Sequence, residues 1–315
     1  MSQAAQSRFE LISRAKFASD KPEEIRGRLK ALVDSGEIKL RDIAKGTSFS
    51  TGTISQALSG SYEGDVERLE DALMRFYRSW VAKNAIIQTT VVEQIHSIMW
   101  LAWLRKEIAL IRGRFGRGKT KAASRFAALN DFAVFVELSG VTSPTELLHR
   151  VAEALNIESQ MVGSRSDKLQ AIIRSLQRNP RLIIIDEADE LRPKTLALLR
   201  DIHGERTERC AIVLIATDRF SRLLQNQELG YLRRRITMKV EVGEIGFPEA
   251  KQIANMWPHD LDNDELKEAW NWSLKHFGTA SLVNIMMRAY DMMQMRKGKE
   301  IRTEDLEAAY GYLVD

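Results

Sequence analysis

Runs of consecutive apolar residues alternate with helical patterns through the middle of the chain. Short apolar runs are typical of strands buried on both faces, whereas apolar positions that recur every three or four residues indicate amphipathic helices. Five runs predict strands, over residues 108–111, 132–138, 181–185, 211–216 and 236–242, and the last alternates enough to lie near an edge. Strands that alternate with helices predict an α/β fold with a mainly parallel five-stranded sheet covered on both faces.

Helical patterns fill the segments between these strands and precede the first of them. Apolar positions at helical spacing predict helices over residues 89–104, 121–129, 144–155, 166–178 and 193–203. Ser143 and Pro144 have the form of a helix start, with the serine as N-cap and the proline at the first helical position. We interpret Trp100 and Trp103 as core or adenine-side packing, and a nucleic-acid stacking platform is the alternative.

The N-terminal quarter of the chain predicts an all-α domain. Residues 1–22 have no clear period and are expected to be a tail, and residues 23–83 predict several short amphipathic helices. A helix ending near Gly46, a short polar break and a second helix with Ile54 and Leu58 inward are typical of a helix-turn-helix.

Five polar side chains of this module are expected to face outward and to contact DNA in the major groove. They are Lys45, Thr51, Thr53, Ser55 and Gln56. The alternative is a plain helical bundle with a neutral polar face. Residues 1–83 carry 14 basic and 12 acidic side chains, so the charge balance of this module favours only weak DNA affinity.

No strand pattern recurs beyond Pro248. Residues 249–257, 262–277, 281–296 and 303–313 predict helices of a small C-terminal domain. Five methionines between residues 286 and 295 indicate adaptable packing, with a partner-binding surface as the alternative. We therefore divide the chain into a tail over residues 1–22, a helix-turn-helix domain over 23–83, an α/β core over 84–247 and a helical lid over 248–315.

Composition is that of an ordinary globular protein. Hydrophobic residues make up 44% and charged residues 29% of the 315 residues. One cysteine, Cys210, suits a reducing cytoplasm and a place in the core beside a strand. No signal peptide or membrane span is predicted. We expect a cytoplasmic protein of a bacterial host cell, with no membrane partner.

Positive charge is concentrated in one stretch of the chain. Residues 192–239 hold 11 basic and 5 acidic side chains, a net charge of +6, whereas the whole chain carries +4. A concentrated basic segment points to an anionic partner, which is either a polynucleotide or the nucleotide of a neighbouring subunit.

The junction of the first strand and the next helix matches a phosphate-binding loop. Residues 113–120 fit G-x-x-x-x-G-K-[ST] at every fixed position, with Gly113, Gly116 and Gly118 shaping the turn. Backbone N–H groups of such a loop surround phosphate oxygens at a helix N-terminus. Lys119 is expected to reach the β- and γ-phosphates of ATP, and the Thr120 hydroxyl to bind Mg²⁺.

The third strand ends in acidic residues. Asp186 is expected to hold Mg²⁺ through water, and Glu187 to orient or deprotonate the attacking water. Arg114 and Arg117 also make the phosphate loop unusually basic, which would add to its attraction for phosphate. Because both motifs lie where strands end, the sequence predicts an ATPase site at the carboxyl edge of the sheet.

The order of these motifs resembles the AAA+ ATPases over residues 89–315. The whole chain resembles the target-selector ATPases of Mu-like transposition systems, and the stretches that carry this likeness are residues 50–55, 62–65, 67–68 and 184–189. The resemblance implies subunits that assemble with ATP into oligomers or helical filaments on double-stranded DNA. It also implies that they deliver this DNA to a transposase and activate it, and that hydrolysis disassembles the filament.

The resemblance also assigns roles to single residues. It implies that Thr217 is the polar sensor at the end of the fourth strand, and that one of three consecutive arginines, Arg233, Arg234 and Arg235, is the arginine finger toward a neighbouring subunit, with Arg235 the first choice. A solvated strand edge is the alternative for the triplet.

The lid departs from the family pattern. Its usual arginine is replaced by Ser281, and Arg288 is either a substitute or simply exposed.

Two other functions fit the same pattern. One is an AAA+ helicase loader or initiator, which would bind a helicase and often single strands. The other is a nucleotide-gated transcriptional regulator whose helix-turn-helix reads an operator while hydrolysis is negligible.

Overall fold

The computed structural model describes residues 21–84, 87–138, 140, 142–204 and 210–313. The expected tail therefore lies almost entirely outside the described residues. The chain divides into two compact units. The first unit contains residues 88–245 and 277–280, and the second contains the N-terminal helices together with residues 246–276 and those from 281 onward.

A five-stranded parallel sheet forms the centre of the first unit. Its strands are β1 (Ile108–Arg112), β2 (Ala133–Val136), β3 (Leu182–Ile185), β4 (Ala211–Ala216) and β5 (Ile236–Glu241). They are ordered β2-β3-β4-β1-β5, and every neighbouring pair is parallel. The predicted strands are confirmed, and β5 lies at an edge, as its alternating pattern indicates.

Helices cover both faces of this sheet. They are α5 (Thr90–Arg105), α6 (Lys119–Leu129), α7 (Pro144–Ala154), α8 (Arg165–Arg178), α9 (Pro193–His203), α10 (Arg219–Leu223) and α11 (Gly230–Arg235). Side chains of α7, α8 and α9 share a buried core with Leu110, Ile212 and Leu214. Helices α5 and α6 contact the strands as well. Cys210 is fully buried beside β4, as expected.

The strand order determines where a ligand can bind. Strand β4 lies between β1 and β3, so the segments that follow these three strands meet at the carboxyl edge of the sheet. Ligands of open α/β sheets bind at this edge. The phosphate-loop sequence follows β1, the acidic run follows β3, and Thr217 follows β4.

Helices are the regular elements of the second unit over its described residues. Its helices are α1 (Pro22–Asp34), α2 (Leu40–Thr47), α3 (Thr51–Ser59), α4 (Val66–Asn84), α12 (Phe247–Ala254), α13 (Asn263–Leu274), α14 (Thr279–Met295), whose first two residues belong to the first unit, and α15 (Thr303–Tyr310). Arg78 on α4 donates a hydrogen bond of 3.3 Å to the Tyr290 hydroxyl on α14. The N-terminal and C-terminal helices are thus linked within one unit.

The predicted helix-turn-helix has the expected local structure. Helix α2 ends at Thr47, residues 48–50 form the turn, and the Ser50 hydroxyl caps α3 by accepting a hydrogen bond from the Thr53 amide. Ile54 is fully buried as expected, but its inward partner is Ala57, while Leu58 is only half-buried. Residues three and four positions after Ile54 share its helix face, so the packing of the neighbouring helices decides which of the two is buried.

None of the helices in the described part of the chain combines the length and the apolar character that crossing a bilayer requires.

Candidate functional site

The phosphate-loop sequence forms a tight turn between β1 and α6. The Gly113 amide continues the sheet by donating to the Ala216 carbonyl at 3.3 Å. Gly116 and Gly118 both have φ of +78°, a left-handed backbone that glycine adopts without steric cost. Gly118 is the N-cap of α6, so the first amides of this helix, which lack partners within the helix, face the loop. This arrangement suits an anionic phosphate.

Lys119 is buried and already engaged by the loop. Its Nζ donates to the carbonyls of Gly113 at 2.6 Å and Arg114 at 2.8 Å, and the residue is 8% exposed. Burial lowers the pKa of Lys119, while Asp186 and Asp189 act in the opposite direction. The ammonium group is thus held inside the turn, where phosphate oxygens would be stronger partners than carbonyls. This geometry fits the predicted role of Lys119.

Asp186 and Thr120 are the two residues expected to hold a metal ion. Asp186 is 3% exposed, and its Oδ1 accepts from the Glu187 amide at 2.9 Å. Thr120 is exposed in the first turn of α6. The described residues contain no cluster of three His, Cys, Asp or Glu side chains that could hold a metal. Mg²⁺ suits this sparse set because it is usually bound by one or two protein groups together with water and phosphate oxygens.

Glu187 has the properties of a proton acceptor beside such a site. Its backbone is left-handed, with φ of +53°, which is uncommon outside glycine and asparagine, and its side chain is exposed. Although the residue is exposed as a whole, partial desolvation of its carboxyl first, and then the neighbouring Asp186, raise the pKa of Glu187. A carboxyl with a raised pKa binds a proton more readily, which suits a general base.

Thr217 is connected to an acidic residue that the sequence analysis did not assign. Its hydroxyl donates to Asp189 Oδ2 at 2.6 Å, and its amide donates to Oδ1 of the same carboxylate at 3.2 Å. Asp189 therefore fixes the polar residue at the end of β4 relative to the acidic run after β3. The available signal was the second aspartate in the run Asp186-Glu-Ala-Asp189, three residues after the first.

The three consecutive arginines lie in the helix that leads into β5, and Arg233 lines a cavity together with Arg112 and Glu241 at the ends of β1 and β5. They end α11 immediately before Ile236, which pairs with Ile108 at the start of β1. Strand β1 has five residues, which span about 16 Å at roughly 3.3 Å per residue. The backbone of Arg235, next to Ile236, is therefore about one strand length away from the phosphate loop that follows β1.

The three arginines have different surroundings. Arg233 and Arg234 are exposed, whereas Arg235 is half-buried and donates from Nη1 to the Gly204 carbonyl at 2.8 Å, with His203 Nδ1 at 3.4 Å. The expectation that Arg235 is the finger remains a prediction. That role requires the Arg235 guanidinium to break its hydrogen bond to the Gly204 carbonyl and to bind the phosphate instead.

The lid residues are also defined. Ser281 is 2% exposed, so its small side chain is accommodated in a packed position. Arg288 Nη1 donates to the Tyr312 carbonyl, which ties this arginine to the C-terminal end of the second unit. Both interpretations of Arg288 stay predictions.

The outward face of the helix-turn-helix is largely as expected. Lys45, Thr51, Ser55 and Gln56 are exposed. Thr53 is half-buried, and its hydroxyl lies 2.9 Å from that of Ser50, so it supports the start of α3. Four of the five expected DNA-contacting side chains are therefore accessible on this module.

Comparison with known proteins gives consistent results. A family model described as an AAA domain matches residues 104–224. The chain is 27% identical over 298 residues to the ATP-dependent target DNA activator B of Escherichia phage Mu, covering 91% of this chain and 94% of that protein. It is 24% identical over 253 residues to the Mu-like prophage FluMu DNA transposition protein B of Haemophilus influenzae, covering 76% and 87%.

Among solved structures, the chain is similar to the Aeropyrum pernix ORC2 protein in its ADPNP-ADP complexes. The TM-score is 0.57 with 16% sequence identity, and the match covers 71% of this chain and 67% of that protein. At this identity the likeness concerns the fold alone. It agrees with the parallel sheet and the motif order described above.

Proposed function

We propose that this chain, which has the AAA+ fold and is related to the Mu-type target DNA activators, is an ATP-dependent DNA-binding ATPase that selects target DNA for a transposase. One observation carries the ATPase part. Lys119, Asp186 and Thr217 follow three adjacent parallel strands and meet at one edge of the sheet. These are the groups that binding and hydrolysing a nucleoside triphosphate requires.

Each residue then has a defined task. Lys119 binds the β- and γ-phosphates, and Thr120 and Asp186 would hold Mg²⁺, which would neutralise charge on the phosphates. Glu187 orients a water molecule and accepts its proton as the water oxygen bonds to the γ-phosphorus. The bond from that phosphorus to the bridging oxygen breaks, and ADP and phosphate leave. Thr217, held by Asp189, faces the same edge, and its hydroxyl oxygen would accept a hydrogen bond from the attacking water.

Hydrolysis is expected to depend on a second subunit. We assign the arginine finger to Arg235, whose backbone lies beside the start of β1, about one strand length from the phosphate loop of its own chain. A guanidinium from a neighbour would stabilise charge that develops during phosphoryl transfer. This explains why assembly and turnover would be coupled, and it supports self-association into an oligomer or filament.

DNA binding is proposed for two regions. Lys45, Thr51, Ser55 and Gln56 form an exposed polar face on the helix-turn-helix. The basic stretch over residues 192–239 adds a net charge of +6 in the α/β unit. Because the helix-turn-helix is nearly neutral, its affinity alone is weak, and assembly of many subunits would supply the rest.

Binding of duplex DNA tests this function directly. Fluorescence anisotropy is measured with two duplexes of unrelated sequence, with and without a non-hydrolysable ATP analogue. We expect both duplexes to bind, and only with the nucleotide. Binding to one sequence irrespective of nucleotide would favour an operator-reading regulator, and preference for single strands together with co-purification of a helicase would favour a helicase loader.

A further inference from the structure

Arg117 of the phosphate loop forms a nearly buried ion pair with Glu244. The distance from Nη1 to Oε1 is 2.6 Å, and the two side chains are 13% and 20% exposed. Both residues belong to the first unit, although 127 positions separate them in sequence. An ion pair this sheltered is screened much less than a surface pair. It therefore fixes the position of the Arg117 guanidinium.

Glu244 is itself held on its other side. Thr279 Oγ1 donates to Oε2 at 3.3 Å. Gly278 has φ of +59°, and a Cβ placed there would lie 1.8 Å from Glu244 Oε1. The carboxylate thus rests directly on the backbone of the segment 277–280, and a side chain at Gly278 would displace it.

The loop backbone binds the same segment. The Ala280 amide donates to the Gly116 carbonyl at 3.0 Å, and a Cβ on Gly116 would lie 2.0 Å from the Phe277 carbonyl oxygen. The outer side of the phosphate loop is therefore packed against residues 277–280 through both main-chain and side-chain contacts. Movement of Arg117 would be transmitted to this segment.

The hydrogen-bonding capacity of Arg117 is not fully used. In the described structure its Nε is buried without a hydrogen-bond partner, and an orphaned charged donor is costly. The guanidinium also lies close enough to Lys119 to lower the pKa of that ammonium group. The Lys119 ammonium and the Arg117 guanidinium thus lie near each other at the loop, and the Glu244 carboxylate is paired with Arg117. A polyphosphate would satisfy both.

We propose that Arg117 is a second phosphate-binding cation of the nucleotide site and that Glu244 is a positioning residue that holds it back until a triphosphate arrives. This inference rests on the proposed ATP binding at Lys119. The ion pair would let the loop distinguish a triphosphate from a diphosphate, because the greater negative charge of the triphosphate is needed to draw Arg117 away from Glu244. The contacts of Thr279 and Gly278 with the Glu244 carboxylate would then change when Glu244 loses its ion pair with Arg117.

The test compares the affinities of Arg117→Gln and Glu244→Gln for a fluorescent ATP analogue and for the matching ADP compound. We expect Arg117→Gln to weaken the triphosphate about tenfold and the diphosphate about twofold or less, and Arg117→Lys to restore part of the loss. Glu244→Gln is expected to strengthen triphosphate binding severalfold, because the competing carboxylate is neutralised. Arg178→Gln, which removes an exposed arginine at the end of α8 and outside the phosphate loop, is the matched control and should change either affinity less than twofold.

Triphosphate affinity should change in opposite directions in Arg117→Gln and Glu244→Gln, which distinguishes this role from that of a structural ion pair. If both variants weaken triphosphate and diphosphate equally, with matching losses in melting temperature, the pair is only structural and the proposal is wrong. Triphosphate affinity unchanged in both variants would also overturn it. Failure of the wild-type chain to bind ATP would instead refute the proposed function at Lys119, so the two failures are distinguishable.

Discussion

The hydroxyl of Thr217 donates a hydrogen bond of 2.6 Å to Asp189, which joins the end of β4 to the acidic run that follows β3. The Thr217 amide donates to the same carboxylate. A neutral amide at position 189 would keep the shape but remove a charge-assisted bond, which is stronger than a neutral one. The alignment of Thr217 with the catalytic edge therefore depends on this one carboxylate.

Replacing Asp189 with asparagine should slow ATP turnover about tenfold and leave nucleotide affinity within about twofold, since a tenfold change corresponds to about 1.4 kcal/mol. Steady-state phosphate release and equilibrium binding measure the two effects. Asp218→Asn, at an exposed acid next to Thr217, is the control. Equal turnover in both variants would mean that the Thr217 contact has no catalytic role.

Glu187→Gln should bind ATP normally and lose turnover by a factor of about 10² to 10⁴, the range for removing a general base. Single-turnover hydrolysis by the wild type and the variant measures this loss. Glu190→Gln removes another nearby acid that raises the pKa of Glu187, and it should retain most of the activity. A Glu187→Gln protein that hydrolyses ATP at the wild-type rate would exclude Glu187 as the base.

The nucleotide motifs could be predicted because each is local in sequence. Gly113 to Thr120 form one continuous template, and Asp186 follows an apolar run. The Asp189 to Thr217 bond joins residues 28 positions apart, and Arg117 pairs with Glu244 across 127 positions. Such pairs arise from the order of strands and from packing on the loop, neither of which leaves a local pattern.

The limits of periodicity are visible in the helix-turn-helix. The apolar positions identified α2 and α3, but the spacing alone could not determine whether Ala57 or Leu58 follows Ile54 on the inner face. Both lie within about 60° of Ile54, at roughly 100° per residue, so the packing of neighbouring helices decides which is buried. Lys45 and Gln56 lie on the exposed side of these helices whether Ala57 or Leu58 is buried, so their predicted DNA contacts do not depend on that choice.

Lys121 should make stability depend on pH. Burial lowers its pKa from 10.5 to about 8. Below pH 8 the folded protein must keep the partly desolvated Lys121 ammonium charged, which lowers its free energy of unfolding. Between pH 8 and 10.5 Lys121 is neutral in the folded protein but still protonated in the unfolded chain, so the free energy of unfolding rises with pH over this range. Lys121→Met should therefore raise the free energy of unfolding at pH 7 by roughly 2 kcal/mol, at about 1.4 kcal/mol per pKa unit discounted for partial exposure.

Urea denaturation of the nucleotide-free protein at pH 7 and at pH 10 measures this effect. The advantage of Lys121→Met should shrink toward zero at the higher pH. Lys299→Met, at an exposed lysine, is the control and should show no such trend. A stabilisation by Lys121→Met that is the same at both pH values would show that the lysine does not carry a buried charge.

The helix-turn-helix face should contribute to DNA affinity without affecting the ATPase site. Changing Lys45 and Gln56 together to alanine is expected to weaken nucleotide-dependent duplex binding about tenfold and to reduce the salt dependence by about one counterion. DNA-free turnover should be unchanged. Lys30→Ala removes an exposed lysine from α1 of the same module and serves as the charge control. An equal loss of duplex affinity in Lys30→Ala would show that the effect arises from net charge and not from the helix-turn-helix face.

The central claim is that nucleotide binding at Lys119 drives self-association on double-stranded DNA. Sedimentation velocity with a long duplex and a non-hydrolysable ATP analogue tests it most directly, with Lys119→Ala alongside. We predict large, duplex-bound assemblies for the wild type only when the analogue is present, and none for Lys119→Ala. A wild-type protein that sediments as a monomer with duplex and analogue, or a Lys119→Ala protein that assembles like the wild type, would contradict the account.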